Sequence, residues 1–371
     1  MRIALDVRSI HGQKTGKEWY TFSLLEHLLK LDSENIYYLY SRYDFDLGCY
    51  PKNCVKKVMR VHMMFWHLAV VWDMMRSGVN LYFGTASYII ASLLILSRIK
   101  VLLTVHDMVA FLYPDKHLRK ALIIEKLTAS LAFWKSSKII CPSLNTKKDL
   151  ECLFPKSRGK TIFIPEAARE NFHEYPLDDE KRSAILSKYQ LPEKFILNIG
   201  TLSPRKNLTR LLKAYAKLPD EIRSVYPLLF IGGKGWYYND IFETVQQLSL
   251  EHHVQFLGYV DDFDLPYILE KATCFVYPSL YEGFGLPLLE AMACGVPVIA
   301  SDNAAHIEVA KGASEIVCRE DIEDMKRGMF KVLTDGEYRS ELREKGLKRV
   351  KEYSWEKVGQ ETLEIIRGIK S

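Results

Sequence analysis

An α/β architecture of two parallel-sheet domains facing each other across a cleft is predicted by three observations. Strand-like apolar runs alternate with helical periods along most of the chain. The alternation occurs twice, and a polar stretch with Pro176 and Pro192 separates the two series. A length of 371 residues exceeds one typical domain and leaves ample core for two. The expected boundaries are an N-terminal domain over 1–170, a linker over 171–192, a C-terminal domain over 193–354, and a last helix over 355–371 packing back toward the N-terminal domain.

The first series opens with a buried strand over 2–8 that ends in Asp6 and Arg8. The loop HGQKTGKEWY follows, and then a helix to about Lys30; Gly12 and Gly16 shape this loop, but the spacing is not the dinucleotide fingerprint. Strands follow at 36–41 and 55–61, then the run MMFWHLAVVWDMMR, which fits a core helix better than one dipping into a membrane. Strand 81–83 and strand 100–105 come next, the latter delivering His106 and Asp107 at its carboxyl end, where open α/β sheets place ligands. A helix over 117–135, strand 138–141, a helix capped by Ser143 and strand 161–164, ending in Pro165 and Glu166, complete the half. The linker carries a charged helix at 178–189.

In the second series, strand 195–200 enters the loop TLSPRKN, and a helix runs from Leu208 to Lys217. Strand 228–231 ends in Gly232-Gly233-Lys234-Gly235, and strand 254–257 in Gly258 and Tyr259. Between them runs a helix from about Asn239 to His252, and a helix at 264–271 leads to strand 274–277. Then comes YPSLYEGFGLPLLEAMACGVPVIA, a glycine turn, a helix opened by Pro287 and a second buried strand at 296–300. Helices at 320–334, at 337–352 and from Trp355 close the chain.

A hydrophobic content of 48% and a charged content of 26% describe an ordinary globular protein. The net charge of +5 conceals a split: residues 1–170 hold 25 Lys and Arg against 15 Asp and Glu, residues 171–371 hold 26 against 31. The halves therefore face different partners. Seven cysteines without Cys-x-x-Cys spacing, and a start on MRIALDV without a basic-then-apolar leader, lead us to expect reduced thiols in the cytoplasm. The apolar runs at 58–75 and 88–104 are broken by charges, so neither is expected to span a membrane.

Chemistry concentrates in three strand-end loops of the second series. Glu282 and Glu290 flank a Gly-Phe-Gly turn, with the backbone N–H groups of Phe284, Gly285 and Leu286 at a helix's positive end, suited to phosphate or sugar oxygens. Arg205 and Lys206 suit a diphosphate, although read alone they fit a solvated basic turn equally well. Carboxylates suit vicinal hydroxyls, which gives Glu290 a ribose and Glu282 a hexose. The Asp262-Phe263-Asp264 repeat lies where a helix begins, so we read it as complementing the helix dipole and expect no metal.

PSLYEGFGLPLLEAMACGVPVIAS, with NIGTLSPRKN and VHD, resembles the Glu-x7-Glu signature of retaining GT-B glycosyltransferases of family 4, in the mannosyltransferase-like branch of bacterial polysaccharide and O-antigen assembly. The resemblance implies a GT-B fold of two Rossmann-like domains and transfer of a hexose, mannose from GDP-mannose, to a polyprenyl-diphosphate-linked glycan. No metal and no other cofactor is implied. His106, Arg205, Lys206 and Glu282 would be the catalytic residues, with His106 beside the transferred sugar. The donor would be held by Gly16, Gly200, Arg205, Lys206, Gly233 and Tyr259, and by Glu282, Gly283, Phe284, Gly285, Leu286 and Glu290. The first loop departs from the family's glycine pattern at Lys14-Thr15-Gly16-Lys17-Glu18, and Leu202 stands where many relatives have Arg.

No protein carboxylate near His106 is evident as a covalent nucleophile, so front-face substitution is expected. The basic N-terminal half is expected to take the anionic acceptor at the inner face of an anionic membrane; no nucleic-acid partner is expected. Alternatives are a UDP-sugar donor (UDP-Glc, UDP-GlcNAc or UDP-GalNAc), a GT-B-shaped epimerase or phosphorylase, a nicotinamide dehydrogenase, or a binding module.

Overall fold

The computed structural model describes residues 1–11, 16–46, 51–116, 119–173 and 179–370. Gly12, Cys49 and Pro176 lie outside these described residues. The chain divides into two compact units, Met1–Ala167 with Ser354–Ser371, and Ala168–Tyr353.

The first unit is built on strands β1 (Arg2–Asp6), β2 (Ile36–Ser41), β3 (Cys54–Val58), β4 (Leu81–Gly84), β5 (Lys100–Thr104), β6 (Lys138–Cys141) and β7 (Thr161–Phe163). All pair in parallel in the order β3-β2-β1-β4-β5-β6-β7, Ile3 standing between Tyr37 and Leu81. Such a sheet is covered on both faces, which is why its central strands are continuously apolar. The connecting helices are α1 (Gly16–Leu31), α2 (Met63–Arg76), α3 (Ile89–Leu93), α4 (Val109–Leu112), α5 (Arg119–Lys135) and α6 (Leu144–Leu153). Trp66 and Val70 of α2, Ile90 of α3 and Ala129 and Phe133 of α5 share one core with Val101, Leu103 and Val105. On the opposite face α1 approaches, and its Tyr20 hydroxyl meets Thr104 Oγ1 at 3.0 Å.

The second unit repeats the plan with β8 (Ile196–Ile199), β9 (Leu228–Ile231), β10 (Val254–Gly258), β11 (Cys274–Tyr277), β12 (Val298–Ser301) and β13 (Glu315–Val317), parallel in the order β10-β9-β8-β11-β12-β13. Its helices are α7 (Asp179–Lys188), α8 (Leu208–Ala216), α9 (Asp220–Val225), α10 (Asn239–Gln247), α11 (Leu265–Lys271), α12 (Leu286–Ala293), α13 (Ala304–Ala310), α14 (Ile322–Thr334) and α15 (Gly336–Val350). The segment read as a linker lies within this unit, where Phe172 and Ile185 join the core around Leu288 and Phe275. Strand β13 was not foreseen. It is a three-residue edge strand, and Gly328 of α14 packs against it so closely that a Cβ there would lie 2.4 Å from Val317 Cγ1.

The last helix, α16 (Trp355–Lys370), belongs to the first unit. It packs on α1 at Gly359, where a Cβ would meet Leu31 Cδ1 at 3.0 Å.

Each sheet reverses its strand order once, at β1/β4 and at β8/β11, and loops at the carboxyl ends beside such a reversal are where α/β sheets hold ligands. The loops after β8 and β9 touch there. Leu202 N donates to Gly233 O at 3.0 Å, and Gly235 N donates to Leu202 O at 3.1 Å.

Gly232 has φ +142, and a Cβ on it would sit 2.2 Å from Gly200 O, whereas Gly233 has open space. Gly232→Ala is therefore expected to cost about 2–3 kcal/mol of stability. Gly233→Ala should stay within about 1 kcal/mol, and urea unfolding of both variants separates the two cases.

Candidate active site

In the second unit the loop after β8 makes a short turn over Pro204–Lys206 and enters α8 through Asn207, which adopts the left-handed conformation (φ 59°, ψ 29°). The Asn207 side-chain amide donates to Pro278 O at 3.1 Å and to Arg319 O at 2.8 Å, and Leu280 N donates to Arg205 O at 2.9 Å. These bonds tie the basic turn to the loop leaving β11.

Glu282 sits where the two loops meet. Its Oε2 is 2.5 Å from Arg205 and its Oε1 2.8 Å from Lys206 Nζ; Arg205 also donates to Tyr281 O at 2.8 Å, and Lys206 to the Tyr277 hydroxyl. Burial alone would push the Glu282 carboxyl up, but Arg205 and then Lys206 outweigh it and hold the group well below the usual carboxylate range. Glu282 is thus an ionised buried carboxylate between two cations. The residues expected to bind sugar and diphosphate separately form one charge cluster.

Gly285 caps α12 with φ +119°, and a Cβ there would meet Leu288 Cδ1 at 3.1 Å and His306 Cδ2 at 3.2 Å. Only glycine meets both demands. His306, a residue the sequence reading passed over, is fully buried beside the Tyr277 ring, with centroids 5.0 Å apart. Asn303 caps α13 by accepting from His306 N at 3.0 Å, and its amide nitrogen lies 2.8 Å from His306 Nδ1. An acceptor role for Nδ1 leaves the proton on Nε2, for which the described residues supply no hydrogen-bond partner. Burial lowers the His306 pKa to about 3, so the ring is neutral near pH 7.

Glu290 is buried on α12 and takes the guanidinium of Arg169, Nε to Oε1, at 2.5 Å. Arg169 also reaches Asp262 Oδ1 at 2.7 Å and lies 4.2 Å above the Phe172 ring. Burial would lower the Arg169 pKa, but Glu290 and Asp262 raise it. The Asp262 repeat lies where expected, with Asp264 at the N-cap of α11, but both carboxylates also have charge partners that the sequence did not show: Asp262 pairs with Arg169, and Asp264 takes Lys188 Nζ at 2.6 Å and the Tyr189 hydroxyl at 2.9 Å. Tyr259 is half exposed, its hydroxyl 3.5 Å from Asp262 Oδ2. A Cβ on Gly200 would lie 3.2 Å from Lys206 Cε, so its bare backbone makes room for that side chain.

In the first unit both ring nitrogens of His106 are engaged, Nδ1 with Glu166 Oε1 at 3.2 Å and Nε2 with Thr85 O at 2.7 Å. The Tyr20 ring packs edge-on at 4.7 Å. The sequence did not place a carboxylate beside His106, yet Glu166, from the loop after β7, is buried against it and engages its Nδ1. Thr85, His106 and Glu166 come from the loops after β4, β5 and β7, a proximity no local pattern carries. Gly16 opens α1 and is exposed. A cavity of about 610 Å³ lies at the amino ends of β1, β4 and β5, lined by Met1, Asn80 and Lys100 among others, and includes none of the expected site residues.

The family described as glycosyl transferases group 1 matches residues 181–349. O-antigen chain mannosyltransferase B of Escherichia coli is 33% identical over 261 residues, 70% of this chain and 68% of that protein. A serotype-specific mannosyltransferase of Escherichia coli is 29% identical over 259 residues, 69% of this chain but only 32% of the relative. Among solved structures, sucrose-phosphate synthase from Thermosynechococcus elongatus superposes with a TM-score of 0.79 at 21% identity, over 99% of this chain and 98% of that one, a likeness of fold.

Arg169→Met leaves Glu290 and Asp262 without their buried cation, and a stability loss of about 3–5 kcal/mol is expected in urea unfolding. Neutral in the fold but protonated in the unfolded chain below its ordinary value, His306 favours folding fully above about pH 6.5 and progressively less as pH falls toward about 3. His306→Gln should flatten the stability profile across that window; an unchanged slope by thermal melts would refute this account.

Proposed function

Because the chain belongs to the glycosyl transferases group 1 family, in its mannosyltransferase-like branch, we propose that it transfers mannose from GDP-mannose, with retention of configuration, to a growing lipid-linked glycan in cell-surface polysaccharide synthesis. The observation that carries the reading is the buried Glu282 held between Arg205 and Lys206 at the strand-order reversal of the second sheet. The mannosyltransferase names of the relatives favour the donor, and the cationic excess of residues 1–170 favours an anionic acceptor at an anionic membrane face.

In this reading Arg205 and Lys206 bind the donor diphosphate, Glu282 and the 283–286 backbone hold the sugar, and Glu290 takes the ribose. The bond from the anomeric carbon to the diphosphate oxygen breaks while the acceptor oxygen bonds the same face of that carbon. The acceptor proton passes to the departing diphosphate, whose growing charge Arg205 and Lys206 stabilise without requiring a divalent ion. His106 is assigned to the transferred sugar, and Glu166 to orienting its ring through Nδ1.

Turnover of a panel of GDP- and UDP-sugars is expected to single out GDP-mannose; a different preferred donor overturns the assignment. Lys206→Ala should lower turnover on the order of a hundredfold, beyond what its partial loss of stability explains once folded protein is quantified. Glu166→Gln distinguishes front-face substitution from a covalent route: the variant should keep measurable turnover, and intact-mass spectra of wild type with donor alone should show no glycosyl adduct.

A further inference from the structure

Asp6 and Arg8, which end the first strand and its turn, have no part in the site described above, yet they form an ion pair where α/β sheets hold ligands. They stand at the carboxyl end of β1, beside the β1/β4 strand-order reversal of the first sheet. Arg8 folds back on the strand as a fork, donating Nε to Asp6 Oδ1 at 2.9 Å and Nη2 to Asp6 Oδ2 at 2.7 Å. Its guanidinium is held against the Trp66 ring, 3.9 Å from the centroid. Nη1 is left with the Met63 sulfur, a weak acceptor, at 3.9 Å. The pair is not sealed, because the Asp6 and Arg8 side chains keep 10% and 18% exposure.

Buried polar groups without partners stand beside this pair. Tyr82 of β4 is in register with Ala4, two residues before Asp6, so Tyr82 and Asp6 project from the same face of the sheet. Tyr82 is 1% exposed, and the described residues supply its hydroxyl with no hydrogen-bond partner. Burial and then Asp6 push its pKa up, which keeps it a neutral O–H in the field of the carboxylate. His67, next to Trp66 on α2, has no partner for Nε2 among the described residues; burial and then Arg8 lower its pKa, so the ring is neutral. A fold that keeps two such groups unpaired beside a charged fork holds hydrogen-bonding capacity for a bound molecule. That molecule must both accept from Arg8 and donate to Asp6. An anion accepts but sets its charge against the carboxylate, whereas two adjacent sugar hydroxyls do both. A face for the sugar ring is also present: Tyr43 is 51% exposed, and Arg42, 5.4 Å from its ring, donates to the same Met63 sulfur at 3.4 Å.

We propose that Asp6, Arg8 and Tyr82 form a carbohydrate subsite that holds the terminal sugar of the acceptor by two adjacent hydroxyls. Asp6 accepts from one hydroxyl, Arg8 Nη1 donates to its neighbour, and the Tyr82 hydroxyl turns to the carboxylate as the ion pair loosens. That the sugar is the acceptor rests on the transferase reading; that the subsite takes a sugar rests on the first unit alone.

Saturation-transfer NMR of the full-length chain with methyl α-mannoside, methyl α-glucoside and N-acetylglucosamine tests it. Saturable binding of at least one sugar is expected, and Asp6→Asn and Arg8→Lys should each weaken it about tenfold. Deoxygenation of that sugar at two adjacent carbons, and not elsewhere, should abolish it. Tyr82→Phe separates a binding role from a structural one. It should weaken the sugar about threefold while melting no lower than wild type, since it removes a buried hydroxyl that has no partner in the fold. A lowered melting temperature with unchanged sugar binding overturns the role of Tyr82. Glu282→Gln should bind the sugar as wild type does, so that a failed transferase reading leaves this result intact. Binding that follows Glu282 and ignores Asp6 overturns the proposal, as does saturation of none of the three sugars, or displacement of the bound sugar by inorganic phosphate, which would mark an anion site.

Discussion

A carboxylate taken out of water must be paired, and in the second unit that requirement organises everything near Glu282. Two cations from the turn after β8 converge on it, and the turn can reach it only because Asn207 accepts a left-handed conformation and bonds to the loop after β11. The Tyr277 hydroxyl joins through Lys206, and the Tyr277 ring backs onto His306, which in turn requires a glycine at 285. The charge cluster thereby fixes the relative position of three strand-end loops that are far apart in sequence. Its cost in desolvation is recovered only while all its members are present.

The second buried charge group follows the same logic on the far side of α12. Glu290 and Asp262 are both carboxylates, and Arg169 bridges them. Helix α12 therefore carries a carboxylate-centred ion pair at each end of the loop-helix element, Glu282 before it and Glu290 within it. A ligand that engages either group meets a side chain already oriented by a partner, which lowers the ordering cost of binding.

Much of this was legible in the residues. The parallel sheets followed from apolar runs alternating with helical periods, and strands Ile36–Ser41, Lys138–Cys141, Leu228–Ile231 and Cys274–Tyr277 lie where that pattern puts them. The loops with Arg205, Lys206, Glu282 and Glu290 were visible because glycines and prolines punctuate strand ends. What escaped was long-range. Arg169 stood in a polar stretch without periodicity, yet it pairs with a residue 121 positions away. Glu166 and His106 meet across 60 positions. His306 left only the faint local signal of an Asn cap three residues before it. The exposure of Ile123, Leu127 and Trp134 on α5 escaped as well, because an apolar period does not say which of its faces is covered.

The pairing of Arg205 and Lys206 with Glu282 also constrains how a diphosphate could be bound. Two cations against one carboxylate leave a net charge of about one, so the cluster is not a bare cationic trap for any anion. An incoming diphosphate must share these cations with Glu282. The ligand that does so best is one whose sugar simultaneously offers hydroxyls to the Glu282 carboxylate, compensating for the weakened ion pair. Free diphosphate or inorganic phosphate offers no such compensation and sets a negative charge against Glu282. Under the proposed function, the buried carboxylate would add selectivity for an intact nucleotide sugar over the nucleotide product and would favour release of the product once the sugar has left.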